Sequence, residues 1–258
     1  MHNLHLGTIG WSYNFWKGNF YPNKTASKDF LTYFGTQFNT VEVDSTFYRI
    51  PTQQTVTNWK RQTPKDFIFS LKFPQVITHV KMLKDCPRET NVFLDRAELL
   101  GEKLGHLLMQ FPPNFGIEHL PDLTDFLRML PKLYRYVVEV RNKTWLNQEF
   151  YSLLRDNKVA MAWTDSPILA PISEVTSDFF YVRWEGDRKK VQGTLGKIEV
   201  DKTADLRLWA EKIMPFVSKQ EVFGYFSKYY SGYPPSDIIY LQSLLNGNQA
   251  LSLNFLGI

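Results

Sequence analysis

A single cysteine, Cys86, excludes an internal disulfide and leaves no partner for a thiolate metal cluster. No apolar run approaches the roughly 18 residues needed to cross a bilayer. The opening MHNLHLGTIGWS has neither the basic start nor the long apolar stretch of a secretory signal, so a soluble cytoplasmic protein is expected. The five histidines, His2, His5, His79, His106 and His119, form no HxH or HExxH pair. The 30 Lys+Arg against 26 Asp+Glu give a net charge of only +4, too mild to diagnose a nucleic-acid partner. The first strand candidate ends Gly7-Thr-Ile-Gly10-Trp11, without the glycine-rich fingerprint of a dinucleotide fold. Gly193-Thr-Leu-Gly-Lys197 is too short for a P-loop, and no Ser-His-Asp order stands out.

What is present suits a globular enzyme-sized domain. The 258 residues are 43% hydrophobic and 22% charged, enough apolar material for a large core and too balanced for disorder. Short apolar runs alternate with helical patterns. The strand candidates are 6–10, 40–44, 67–73, 106–111, 136–141, 159–163, 179–184 and 221–226. Helix candidates lie near 27–37, 53–62, 91–103, 119–130, 146–157, 202–214 and 236–246. Pro167–Glu174 has room for no more than one helical turn. Eight strand–helix alternations over about 250 residues predict a single α/β domain, 1–258, folded as a (β/α)8 TIM-type barrel. A doubly wound open sheet is the alternative.

In a barrel, alternate residues of each strand point inward, and chemistry gathers at the strand C-termini. In Thr40-Val-Glu-Val-Asp44 the valines go to the helices, so Glu42 and Asp44 face in. The same alternation brings in Ser70 and Lys72, Gln110, Glu139 and Arg141, and Tyr181 and Arg183, with Asp165 and Tyr225 ending their strands. Three carboxylates, Glu42, Glu139 and Asp165, would then face the cations Lys72, Arg141 and Arg183. One reading is a structural ladder of ion pairs. The other is a site, because burying six charges costs several kcal/mol per ion even when they are paired. On that reading Glu42, Glu139 and Asp165 are the acid/base candidates, Lys72, Arg141 and Arg183 would hold an anion, and Gln110 and Tyr225 would orient it. The three carboxylates could alternatively hold Mg²⁺ or Mn²⁺, although no cofactor is required.

Two loops join this rim. The first, Gly10 to Pro22, is densely aromatic, with Trp11 and Tyr13 the best placed to stack on a ligand. The second, Gly186 to Lys197, is basic and glycine-rich, as an anion site requires. His79 falls just past a strand end. A small polar, sugar-like or phosphorylated ligand is the expected partner. A non-catalytic nucleic-acid-binding module using the aromatic loop and residues 188–197 is the alternative, and no membrane partner is expected.

Several segments together resemble the YecE-like family, also called domain of unknown function 72. They are Gly10-Trp-Ser-Tyr13 with Trp16 and Tyr21-Pro22, Val41-Glu-Val-Asp-Ser-Thr-Phe-Tyr48, Phe67-x-Phe-Ser-x-Lys-x-Pro74 with Ile77-Thr-His79, and Leu108-Met-Gln-Phe-Pro-Pro113. Val138-Glu-Val-Arg141 with Trp145, Tyr181-Val-Arg183, Tyr225-Phe226 and Tyr230-x-Gly232 follow in order. The resemblance spans nearly the whole chain and implies a TIM barrel with these residues at its mouth, but no particular reaction. Two departures stand out. The family usually has a histidine where this chain has Glu185, and two asparagines where it has Ser227 and Lys228. The new charges are opposite in sign and on neighbouring strands, so Glu185 and Lys228 are expected to pair, the alternative being two solvated loop residues pointing apart.

Overall fold

β-branched and aromatic residues at every second position fit a pleated surface whose outward face is covered by helices. The computed structural model describes residues 3–169 and 174–247 and shows this pattern realised in parallel strands. They are β1 (Leu4–Ile9), β2 (Thr40–Val43), β3 (Ile68–Lys72), β4 (Leu104–Gln110), β5 (Arg135–Glu139), β6 (Ala160–Met161), β7 (Trp163–Asp165), β8 (Phe179–Trp184) and β9 (Glu221–Phe226). The hydrogen-bonded order is β6-β5-β4-β3-β2-β1-β9-β8-β7. β6 and β7 are two pieces of one strand interrupted at Ala162, whose amide still donates to the Val138 carbonyl at 2.9 Å. One stretch of chain therefore pairs with β5 on one side and with β8 on the other, and the sheet closes. This is the expected eight-stranded TIM-type barrel, not the open sheet.

The break has a local remedy. The Thr176 hydroxyl donates to the Val159 carbonyl at 2.6 Å and accepts from the Met161 amide at 2.8 Å, occupying groups the strand leaves unpaired. Around the barrel lie α1 (Phe30–Gln37), α2 (Ser45–Tyr48), α3 (Gln53–Gln62), α4 (Pro87–Glu98), α5 (Leu120–Met129), α6 (Gln148–Asp156), α7 (Thr203–Val217) and α8 (Pro234–Leu245). Proline within the first turn starts α4, α5 and α8, where its missing N–H costs nothing. That explains why α4 begins four residues before the expected 91. The β7–β8 connection carries no helix among the described residues, and residues 170–173 of the Pro167–Glu174 segment lie outside them. No described helix is long and apolar enough to cross a membrane.

Two apolar layers result. The outer one lies between sheet and helices and includes Val41, Val43, Phe69, Leu107 and Val138. The inner one fills the barrel with Leu108, Val137, Ala162, Phe179, Phe223 and Tyr225. His106, wholly buried between Phe179 and Phe223, belongs to this filling; burial and the nearby Arg135 and His5 hold its ring neutral. Above it Tyr225 shares its hydroxyl with Thr40 at 2.8 Å and Ser70 at 2.7 Å. The charged residues form the next layer up, so the apolar floor sets their depth.

Candidate active site at the barrel mouth

Arg183 is the hub. It ends its inward run on β8, is 2% exposed, and has three carboxylates around it. Glu42, from β2, receives Arg183 Nε and Nη2 at 2.8 Å each and the Tyr181 hydroxyl at 2.9 Å. Arg183 Nη1 bonds Glu139 of β5 and Glu185 just beyond β8. Glu139 also accepts from Gln110 Nε2 at 2.6 Å and Arg141 Nε at 3.0 Å. Gln110 is thereby fixed with its carbonyl oxygen outward, and Lys72 Nζ donates to it at 2.7 Å. The alternation of five strands thus yields one continuous polar network.

The network determines protonation. At Glu139 burial pushes the carboxyl up, but Arg183, Arg141 and Lys72 outweigh it and bring it to about 2. Glu42 has one arginine instead of three cations, and burial pushes it up against Arg183 and Tyr181. Lys72 is brought down to about 8 by burial and Arg183, against the pull of Glu139, Glu185 and Glu42. His79 falls to about 4 through burial, Lys72 and Arg141, so its ring is neutral at pH 7.

Over the network opens a cavity of about 470 Å³. Lys72, Gln110, Arg141 and Arg183 reach its surface, with Glu42 and Glu139 directly beneath. Tyr13 and His79 line it too. Tyr13 donates its hydroxyl to the Ile9 carbonyl at 2.6 Å, which fixes the ring at the wall.

Three expected residues lie elsewhere. Asp165 is turned outward and accepts from the Trp209 indole of α7 at 2.7 Å. Trp163 points to the helices, where it meets Trp209 and Phe216, and two residues on along β7 the alternation carries Asp165 to the same side. The three-carboxylate cation site is therefore not assembled, and Arg183 fills the space between the two remaining glutamates. No group of three metal-ligating side chains exists among the described residues. Tyr225 sits one layer too deep, and Trp11 packs edge-on against Trp59 instead of lining the cavity.

The expected Glu185–Lys228 pair does not form. Glu185 goes to Arg183 and, at 3.6 Å, to Arg141. Lys228 Nζ lies 5.0–5.5 Å from the centres of the Tyr13, Phe15 and Tyr229 rings. Two arginines on the same rim give the carboxylate a stronger partner than the single lysine after the neighbouring strand. The basic loop also differs from a phosphate cradle, because the Gln192 and Gly193 amides donate to Glu199 at 2.7 and 2.8 Å. Arg188 instead reaches the cavity by its side chain, stacked 4.6 Å over Tyr229.

Phe47, Tyr48 and Tyr229 line the cavity without having been singled out, and Arg188, the first residue of the expected basic stretch 188–197, lines it too. Phe47 and Tyr48 come from the one-turn α2, and His79 from a single wide turn at Val76–Val80. Such elements are too short for hydrophobic periodicity to reveal. The Asp-Ser-Thr-Phe-Tyr48 run directly after an inward glutamate was the available signal.

Comparison with known proteins agrees with the fold. The chain is 38% identical to UPF0759 protein YecE of Escherichia coli K12 over 112 residues, 43% of this chain and 41% of that protein. It is 27% identical to UPF0759 protein YunF of Bacillus subtilis over 173 residues, 63% of this chain and 59% of that protein. In sequence, the chain thus matches well under two thirds of the length of either relative. A crystal structure of a DUF72 family protein from Thermotoga maritima superposes with a TM-score of 0.78 at 26% identity, covering 95% of this chain and 100% of that one. The family described as "protein of unknown function DUF72" matches residues 5–254, and the chain belongs to that family.

Proposed function

We propose that the barrel mouth is a receptor for a small anionic ligand, phosphorylated or carboxylated, and that the buried glutamates organise it instead of acting as general acid and base. The carrying observation is the distribution of charge on the wall. Lys72, Arg141, Arg183, Arg188 and Lys228 share it with Asp44 and Glu185, and with Glu42 and Glu139 beneath the arginines one positive charge is left in excess at the opening. Among the described residues Arg188 and Lys228 make no salt bridge and rest on ring faces, so their charge is available to a ligand. A cation on a ring face retains its donors, which a carboxylate partner would occupy.

Glu139 at about 2 is a fixed anion near neutral pH and a poor proton donor or acceptor there. Its chemistry is to hold Arg183, Arg141 and Gln110 in place, as second-layer carboxylates do for binding cations. The nucleic-acid alternative has less support. The aromatics of the first loop are largely packed on one another, with Trp16 against Tyr13, Phe15, Phe20 and Tyr21, and of these Tyr13 lines the cavity.

Thermal unfolding with inorganic phosphate, pyrophosphate and a sugar phosphate tests the reading, against sodium chloride at matched ionic strength. A ligand at a hundredfold excess over its Kd stabilises by about 2.7 kcal/mol. The expected result is stabilisation by at least one of these anions that Arg141→Gln and Lys228→Gln each weaken. Equal behaviour in phosphate and chloride would overturn it.

A further inference from the structure

Lys72 differs from the other cations of the inner network. Arg141 and Arg183 each bind carboxylates, whereas Lys72 makes no salt bridge among the described residues. Its Nζ donates to the neutral Gln110 carbonyl oxygen and lies 4.0 Å from the centre of the Phe47 ring. The residue is 9% exposed, and that exposure is to the cavity. An amine so placed is oriented by a neutral acceptor and has no carboxylate partner to hold it as an ammonium.

We propose that Lys72 is an amine nucleophile that condenses with the aldehyde or ketone carbon of a small substrate whose anionic group is held by Arg141, Arg188 and Lys228. This rests on the anion-receptor reading and specifies the substrate class as a carbonyl compound bearing a phosphate or carboxylate. The ammonium first releases one proton. The free amine then attacks the carbonyl carbon, a C–N bond forms, and the oxygen takes up that proton to give a carbinolamine. The C–O bond breaks and the oxygen leaves as water, carrying a proton from nitrogen. The sum is ammonium plus carbonyl to protonated imine plus water, with no oxidation or reduction. The His79 ring, neutral at pH 7, lines the same cavity. A protonated imine withdraws electrons from the adjacent carbon, which fits bond cleavage or proton removal there.

The titration of Lys72 supports the step. The charged and titratable groups around it are Arg183, Glu139, Glu185 and Glu42 of the network below, with Arg141 and His79 on the same cavity wall. At about 8 instead of 10.5, about a tenth of it is free amine at pH 7. An ordinary lysine is then about 0.03% free.

The test is reductive trapping on the whole protein with glycolaldehyde phosphate and cyanoborohydride, followed by peptide mass mapping. The expected result is alkylation at Lys72 at least ~10-fold faster than at exposed Lys143, slowed by inorganic phosphate, with a rate that levels off near pH 8. Labelling at Lys72 no faster than at Lys143 would overturn the covalent role. If phosphate still stabilised the protein, the anion reading would survive that result. Equal trapping by neutral glycolaldehyde, unaffected by phosphate, would instead overturn the anchored-anion substrate class together with the anion reading.

Discussion

Replacing Glu139 by glutamine keeps the shape of the side chain and removes one charge from beneath the cavity. The carboxyl is held at about 2 against an ordinary 4.5, and at 2% exposure solvent screens it little. Each unit of displacement is worth about 1.4 kcal/mol, so the ionised form contributes about 3 kcal/mol to folding at pH 7. That agrees with the ~3–5 kcal/mol expected when one partner of a buried ion pair is removed. For a chain of this size the loss corresponds to a fall of about 6–12 °C in melting temperature.

The pH dependence has a fixed sign. A carboxyl depressed by folding stabilises fully above its unfolded value and loses that contribution as pH falls toward its folded value. The difference between wild type and Glu139→Gln should therefore be greatest at pH 7, begin to shrink near pH 4.5, and fall below half by about pH 3. Urea denaturation followed by tryptophan fluorescence measures it, with thermal shift in phosphate as companion. Phosphate binding should weaken as well, because Arg183, Arg141 and Gln110 lose the carboxylate that holds them in place. A stability loss under about 1 kcal/mol at pH 7, or a difference that grows on acidification, would refute the assignment of Glu139 as a fixed counter-ion.

Arg183→Met should cost more, because it strands Glu42, Glu139 and Glu185 together; a loss of about 3–5 kcal/mol or more by urea denaturation is expected. In that variant the buried carboxyls are raised by folding, so stability should recover as pH falls toward 5, the reverse of the Glu139 contribution. Asp165→Asn should weaken the bond to Trp209 and lower stability by roughly 1–2 kcal/mol, with phosphate binding unchanged in a titration. Gly186→Ala should reduce both soluble yield and melting temperature, since Gly186 has φ +69° and a Cβ there would overlap the Tyr229 carbonyl oxygen.

The barrel was legible because its strands obey a period of two over a long chain. Thr40-Val-Glu-Val needs no more than alternation to send valines to the helices and Glu42 to the centre, and β3, β4, β5 and β8 repeat the pattern. Asp165 shows where that logic fails. The strand breaks at Ala162, and which residues of the second piece face inward depends on how the chain resumes. Trp163 settles this by packing on Trp209, a contact 46 positions away that no local pattern encodes. Trp11 fails for a related reason, since its exposure depends on Trp59 of α3. Phe47 and Tyr48 were hidden because a one-turn helix carries no periodicity, whereas Arg188 was legible only as part of a basic loop.

The charge pattern at residue 185 gives the last prediction. Glu42, Glu139 and Glu185 balance Arg183, Arg141 and Lys72, so the inner network is neutral as a whole. Outside it Arg188 and Lys228 face Asp44, leaving an excess of one positive charge at the opening. An anion is therefore drawn to the outer ring, with its other end toward Lys72. Glu185→His introduces the residue the YecE-like pattern carries there and removes one inner negative charge. The inner network then gains a net positive charge, and Arg141 loses the carboxylate lying 3.6 Å away. Phosphate should bind at least severalfold more tightly to this variant, and Arg188→Gln should matter less in it than in the parent chain, because the anion can sit deeper. A double-mutant cycle on phosphate affinity reads the coupling between positions 185 and 188. Strictly additive effects, or weaker phosphate binding by Glu185→His, would show that Glu185 does not govern where the anion rests.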